Sequence, residues 1–285
     1  MIRLILLTLI NISVMGDDEQ QHASSSSSFQ STREQYETYP YPTLEDSTST
    51  RILQSPSHLM EINHYVYKGR KNFCGDGSDG GFRVLVAGGG TGVKTVQLAT
   101  QLRDMNAVNA EIVHLDLSQS SIRFAKERAQ RAEVKHFIRF VQGSIESIPE
   151  LNLGQFDYID CLGVLHHLRD PTVGLKRLSE SLREDGGMGL MFYAELGRIG
   201  VYHAQELLQM LAINASDPKD VSLTRTFVGH SLPKTNWLRM NEWRWNDFNT
   251  SLASSPDSQI VDLLLPHRDV AYRVDQVFDM VESSG

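Results

Sequence analysis

The sequence predicts an α/β protein built on a doubly wound, mostly parallel sheet, and three observations carry this. Short apolar runs recur as FRVLVA (82–87), EIVHLDL (111–117), FIRFVQG (137–143), FDYIDCLGVL (156–165) and MGLMFYA (188–194). Segments with helical spacing lie between them, at 93–104, 119–132 and 172–183. Strands that alternate with helices at this pitch form a parallel sheet covered on both faces, and such strands read as near-continuous apolar runs. Third, a glycine turn, VLVAGGGTGVKT (84–95), follows the first run and opens the first helix. That is where open α/β sheets bind ligands.

The elements ahead of the sheet differ in character. Arg3 precedes an apolar run, 4–15, too short to span a bilayer comfortably. With Val14 and Gly16 small enough for cleavage before Asp17, residues 1–16 read as a possible secretory or targeting leader. Asn-x-Ser/Thr sequons at Asn214 and Asn249 fit that reading. Nothing downstream looks built for an oxidising compartment, so a cytoplasmic location is favoured. Residues 17–33, with the Ser24–Ser28 run, read as a disordered linker. Residues 34–54 read as an aromatic and proline strap, in which Pro40 and Pro42 alternate with tyrosines and favour an extended chain. It either lies across a pocket mouth or packs on the core. A helix is expected within 57–68, followed by a glycine-rich loop, 69–81. Ser118 is the expected cap of the helix at 119–132.

Charge and cysteines narrow the class. The 27 basic and 35 acidic residues give a net charge of −8, which repels polyanions and makes nucleic acid an unlikely partner. The basic residues between Arg123 and Arg139 are interrupted by Glu127 and Glu133 and read as a solvated helix face. Cys74 and Cys161 are far apart, with neither metal spacing nor a disulfide framework. No later segment is long and apolar enough to span a membrane.

The glycine turn selects among three ligands. A phosphate loop needs Gly-x4-Gly-Lys-Ser/Thr, and counting from Gly88 the second glycine falls on Val93. A dinucleotide turn needs Gly-x-Gly-x-x-Gly and fails at the same residue. Gly88, Gly90 and Gly92 instead form Gly-x-Gly-x-Gly. A nicotinamide oxidoreductase would also require a Tyr-x3-Lys pair after the fourth run, which is not there.

VLVAGGGTG resembles the first motif of the class I S-adenosylmethionine-dependent methyltransferases. Asp116, ending VHLD, is similar to the acid that accepts both ribose hydroxyls. GSIESIP (143–149) resembles the adenine-contacting loop, with Ser144 where the family often has an acid. FDYIDCLGVLHHLRDP (156–171) and DGGMGLMFYAELGR (185–198) resemble the fourth and fifth strand motifs. The YETYPYP segment and RILQSPSHLMEINHY also resemble the front of some bacterial-type members. The resemblance implies a Rossmann-like methyltransferase fold with S-adenosyl-L-methionine as cofactor. It implies contacts from Ala87, Gly88, Gly89, Gly90, Gly92, Asp116, Leu117, Gly143, Ser144, Ile145 and Gly163. Two departures stand out. Val86 occupies the place of an acid that helps hold the cofactor's amino-acid end. The C-terminal antiparallel edge hairpin of a complete member is missing, unless residues 222–265 supply replacement strands.

The methyltransferase domain is thus expected over 55–285, with a core at 82–200, a variable lid or insertion at 201–265 and a terminal helix at 273–285. Candidates to orient an acceptor or take its proton are His166, His167 and Tyr193; the histidines act either as a base or as loop-shaping groups. No metal ligand set is expected. Trp237, Trp243 and Trp245 interleave with Arg239 and Arg244, as an acceptor lid or as a small core under the insertion. The acceptor expected is a small molecule. The alternative is a catalytically silent cofactor-binding or partner subunit of the same fold.

Overall fold

The computed structural model describes residues 3–6, 27–43, 56–73, 81–241 and 251–285. Six strands form one sheet: β1 (Arg3–Leu6), β2 (Phe82–Ala87), β3 (Ala110–Asp116), β4 (Ile138–Gln142), β5 (Phe156–Leu162) and β6 (Leu182–Met191). Their order is β1-β6-β5-β2-β3-β4, and every pairing is parallel. The chain moves outward from β2 through β3 to β4, then crosses back to β5 on the other side of β2. The switch point therefore lies between β2 and β5.

Helices cover both faces. On one face α2 (Leu59–Tyr65), α3 (Val93–Asp104) and α4 (Gln119–Arg131) bury Leu59, Ile62, Leu98, Leu102 and Ala129 against Val84, Val86 and Ile112. On the other, α5 (Ile148–Leu151), α6 (Pro171–Glu180) and α11 (Val274–Ser283) bury Leu175, Leu178, Val277 and Met280 against Leu85, Val113 and Ile159. The alternation follows from the pleat: neighbouring residues of one strand feed opposite cores. Ser118 caps α4 by accepting from Ser121 N–H at 3.0 Å. Asp170 caps α6, with Pro171 in its first turn.

The insertion is helical. α7 (Ile199–Met210), α8 (Pro218–Thr226), α9 (Trp237–Met240) and α10 (Asp257–Leu264) enclose a third core containing Leu208, Val221, Leu238, Ile260 and Val261. Trp237 packs against this core and crowds Gly200, where a Cβ would sit 2.2 Å from the indole. For Trp237 the core alternative therefore applies; Trp243, Arg244 and Trp245 lie outside the described residues.

Three expectations are corrected. The linker and strap are not extended from residue 34, because α1 (Ser27–Thr38) runs through both. Proline restricts itself and the residue before it, so Pro40 acts only from Tyr39 onward, and the polar residues upstream are free to coil into a helix. Residues 17–26 and 44–54 lie outside the description. The last strand begins at Leu182 rather than 188: its pairing with β5 jumps from Phe156↔Leu182 to Tyr158↔Gly187, and the residues between bulge around Gly186. Tyr193 thus stands just beyond the strand. Residues 222–265 supply no strand among those described, and the edge beside β6 is taken by β1, with Arg3 opposite Gly187. Residues 3–6 of the expected leader therefore stand in the sheet; residues 7–16 lie outside the description. Among the described residues, no helix is long and apolar enough to cross a membrane.

Candidate functional site

The loops after β2, β3, β4 and β5 converge at the switch point. β2 ends at Ala87, and the turn Gly88–Gly92 leads into α3, whose N-cap is Gly92. Gly88 N–H and Gly89 N–H both donate to the Leu115 carbonyl, at 2.8 and 3.0 Å. Gly90 N–H donates to one Asp116 carboxylate oxygen at 2.7 Å, and Ser118 N–H donates to the other at 2.8 Å. Asp116 therefore ties the glycine turn to the start of α4. Its own carbonyl accepts from Gly143 N–H at 3.0 Å, which brings in the loop after β4. Leu117 offers its carbonyl to Gln142 at 3.3 Å. Ser144 caps the short turn Ile145–Ser147, its hydroxyl accepting from Glu146 N–H at 3.2 Å. Gly163 N–H donates to the Met191 carbonyl at 3.2 Å. A Cβ on Gly88 would sit 2.5 Å from Val164, so the turn after β2 touches the loop after β5.

Gly90 requires glycine for two reasons. Its φ is +53°, and a Cβ would sit 2.5 Å from the Tyr41 carbonyl oxygen. That contact belongs to the strap, which lies across the turn. Thr91 donates its N–H to the Tyr41 carbonyl at 3.3 Å and its hydroxyl to the Pro42 carbonyl. Glu37 accepts from Gln119 N–H at 2.7 Å and Ser120 N–H at 2.9 Å, placing a carboxylate on the amino end of α4. On its other side the strap holds the insertion. Tyr36 donates to Asp262 at 2.9 Å, Tyr39 to the Ala215 carbonyl at 3.3 Å, and Thr43 bonds Ser258 at 2.8 Å. Gly90→Ala is expected to displace the strap from the turn; faster amide exchange at Thr91 is the measurement, and unchanged exchange would refute this contact.

Two groups at the turn, buried His114 and half-buried Asp116, titrate abnormally. Burial pushes the Asp116 carboxyl up to about 6, partly offset by the N–H groups of Ser118 and Gly90. Burial pushes His114 down to about 4. His114 lies under the turn, bonded to the Thr95 hydroxyl at 2.8 Å, and a Cβ on Gly89 would meet its ring at 2.3 Å. The two shifts act oppositely on stability. Between about pH 6.5 and 4 the unfolded chain protonates His114 first, so acid destabilises the fold through it. Between about pH 6 and 4 the folded chain protonates Asp116 first, so acid stabilises the fold through it. Removing Asp116 leaves the His114 loss uncompensated. The unfolding free energy of Asp116→Ala is expected to fall by roughly 2 kcal/mol more than wild type between pH 7 and 4.5 in urea titrations.

A second cluster stands past the ends of β5 and β6. His166 is fully buried and stacks on Tyr193 with centroids 3.8 Å apart. Burial holds its imidazole well below the ordinary range, with His167 and Arg198 adding to the shift, so it is neutral at pH 7. The Arg198 guanidinium lies 3.5 Å from the Tyr193 ring centre and 3.2 Å from Asp269. Burial raises the Tyr193 phenol, which therefore stays protonated. His167 places Nδ1 2.6 Å from the Arg268 carbonyl, which only an N–H can approach favourably. That bond fixes the proton on Nδ1 and leaves the lone pair on Nε2, which is buried and has no hydrogen-bond partner. The Tyr36 ring stands edge-on to His167 at 6.0 Å.

All the expected cofactor residues thus gather around one turn, and His166, His167 and Tyr193 around one neighbouring cluster. Sequence reasoning missed Tyr36, Glu37, Arg198, Asp262 and Asp269. The chemistry of Glu37 appears only when α1 meets α4, 82 positions away in sequence, and no local spacing encodes that. Arg198 ended a matched motif and was the one signal available.

This strand order and these loops define the class I S-adenosylmethionine-dependent methyltransferase fold. A family model described as a methyltransferase domain matches residues 78–242, more than half of the chain, and the chain belongs to that family. An uncharacterised protein of Synechococcus is 35% identical over 205 residues, covering 71% of this chain and 46% of that protein. The magnesium-protoporphyrin O-methyltransferase of Rhodobacter capsulatus is 35% identical over 94 residues, 33% of this chain and 37% of that enzyme. The structure of PKMT2 from Rickettsia typhi in complex with AdoHcy aligns with a TM-score of 0.53 and 21% identity, over 71% of this chain and 38% of that one. The chain spans less than half the length of each of these three proteins.

Proposed function

We propose that this chain transfers a methyl group from S-adenosylmethionine to a protic small-molecule acceptor by in-line displacement. The observation that carries the reading is Asp116, a half-buried carboxylate bridging Gly90 and Ser118 where the sheet changes direction. The residues present fit the cofactor. Gly88, Gly90 and Gly92 all take positive φ, which bends the turn tightly enough for a ligand to meet its backbone, and the carboxylate retains acceptor capacity for a ribose diol. When bound, the cofactor supplies an electrophilic methyl carbon on a positively charged sulfur.

The chain's residues do the rest. Asp116 orients the ribose, the loop Gly143–Ile145 lies at the adenine, and the backbone of Gly88–Gly92 receives the amino-acid end. The strap covers the turn and excludes water. Tyr193 remains a phenol and donates to the second lone pair of an acceptor oxygen. His167 Nε2 takes the acceptor's proton, because the Arg268 carbonyl has already fixed the other nitrogen as the donor. His166 is neutral and packs Tyr193 in place.

The test has two stages. Titration of the protein with S-adenosylhomocysteine should give binding, and no binding by a folded chain would overturn the proposal. Methyl transfer to a screened panel of phenols and amines should then fall about a hundredfold in His167→Ala with cofactor affinity unchanged. A folded protein that binds cofactor and methylates no acceptor supports the silent reading, which Val86 favours.

A further inference from the structure

Three side chains stand in a row beneath the glycine turn. The parallel register pairs Val86 of β2 with His114 of β3 on one side and with Asp160 of β5 on the other. Residues paired in this way share a face, and this is the face covered by α2 and α3. The middle position is aliphatic, while its neighbours are an imidazole and a carboxylate exposed by 0% and 1%. A buried carboxylate is costly unless partnered, and Asp160 is partnered. Ser57, just ahead of α2, donates its hydroxyl to it. Lys94, in the first turn of α3, acts on it electrostatically, against the upward push of burial.

Packing alone does not ask for this acid. Tyr158, two residues earlier on the same face, fills its space with a ring and sends its hydroxyl to the Pro56 carbonyl at 2.8 Å. Asp160 sits level with Val86, one strand spacing away, roughly 4.8 Å. Its strand ends two residues later at Leu162, next to Gly163 and the switch point.

We propose that Asp160 supplies the negative charge that Val86 does not, and that through Ser57 and Lys94 it fixes the part of the glycine turn that receives the cofactor's amino-acid end. It is a positioning residue, acting from below the turn through the first turn of α3. The inference rests on the S-adenosylmethionine reading. The amino-acid end of that ligand carries an ammonium and a carboxylate, and the adenosine end carries no charge. Charge at Asp160 therefore discriminates between ligands that differ only in that end.

The experiment compares S-adenosylhomocysteine with methylthioadenosine, which lacks the amino-acid end, by calorimetry on wild type, Asp160→Asn and the double variant Val86→Asp with Asp160→Asn. Asparagine keeps the shape and an acceptor for Ser57 and removes the charge. Affinity for S-adenosylhomocysteine is expected to fall about tenfold in Asp160→Asn, with methylthioadenosine changed less than about twofold. The ratio of the two affinities, taken on one sample, does not depend on the fraction folded. Partial recovery of the ratio in the double variant supports the displaced acid. Equal loss of both ligands, no loss of either, or a double variant with the same ratio as Asp160→Asn overturns it. Wild-type protein that binds neither ligand refutes the cofactor reading itself, a distinct outcome.

Discussion

Asp116→Ala is expected to lower the affinity for S-adenosylhomocysteine by at least about a hundredfold, because it removes the charged acceptor proposed for both ribose hydroxyls. The same change is not silent in the fold. Gly90 N–H and Ser118 N–H, now 2.7 and 2.8 Å from the carboxylate, lose their partner, at a cost of about 1–3 kcal/mol for each buried donor. Calorimetry at several pH values separates recognition from stability. The proposed ribose contact needs the ionised carboxylate, and burial has raised Asp116 to about 6. Wild-type affinity should be flat above pH 7 and fall by up to about tenfold per unit below pH 6. The variant should bind weakly with no such limb. A folded variant that binds like wild type would remove Asp116 from the site.

Asp269→Ala is expected to destabilise the protein by about 3–5 kcal/mol, the cost of leaving a buried charge without its partner. Arg198 is 7% exposed, and its guanidinium lies 3.2 Å from Asp269. Asp269 also accepts from Gln205 at 3.3 Å and from Tyr202 at 3.5 Å, so three donors converge on one carboxylate. Asparagine in its place should cost less, since it keeps one acceptor. Because Arg198 stacks on Tyr193, and Tyr193 on His166, both variants should also lose methyl transfer beyond their loss of folded protein. Urea unfolding beside cofactor titration reads this: cofactor affinity should hold where protein is folded. An unchanged urea midpoint in Asp269→Ala would show that the pair contributes nothing to the fold.

The sheet was legible because its signals are local. Buried parallel strands announce themselves as apolar runs, and a glycine turn between strand and helix marks the switch point. The residues expected to hold a cofactor fall together for the same reason, since Gly88, Asp116 and Gly143 each sit at a strand's carboxyl end, a position set by sequence order. The acceptor side was half legible. His166, His167 and Tyr193 lie in matched motifs, but Asp262 and Asp269 come from the insertion and reach the cluster only through tertiary packing. The strap was misread for a physical reason: proline acts over one or two residues, and that reach was extended backward onto a stretch that is helical as far as Thr38.

The strap also fixes when the site becomes complete. Tyr36 meets Asp262 across 226 positions, and Thr43 meets Ser258 across 215. Closing so long a loop is slow compared with the shorter-range pairings among β2 to β6. On a ribosome, Tyr36 and Thr43 emerge more than 200 positions ahead of Asp262 and Ser258 and must wait for them. The sheet and its glycine turn can therefore form while the roof is still open, and the roof closes after them.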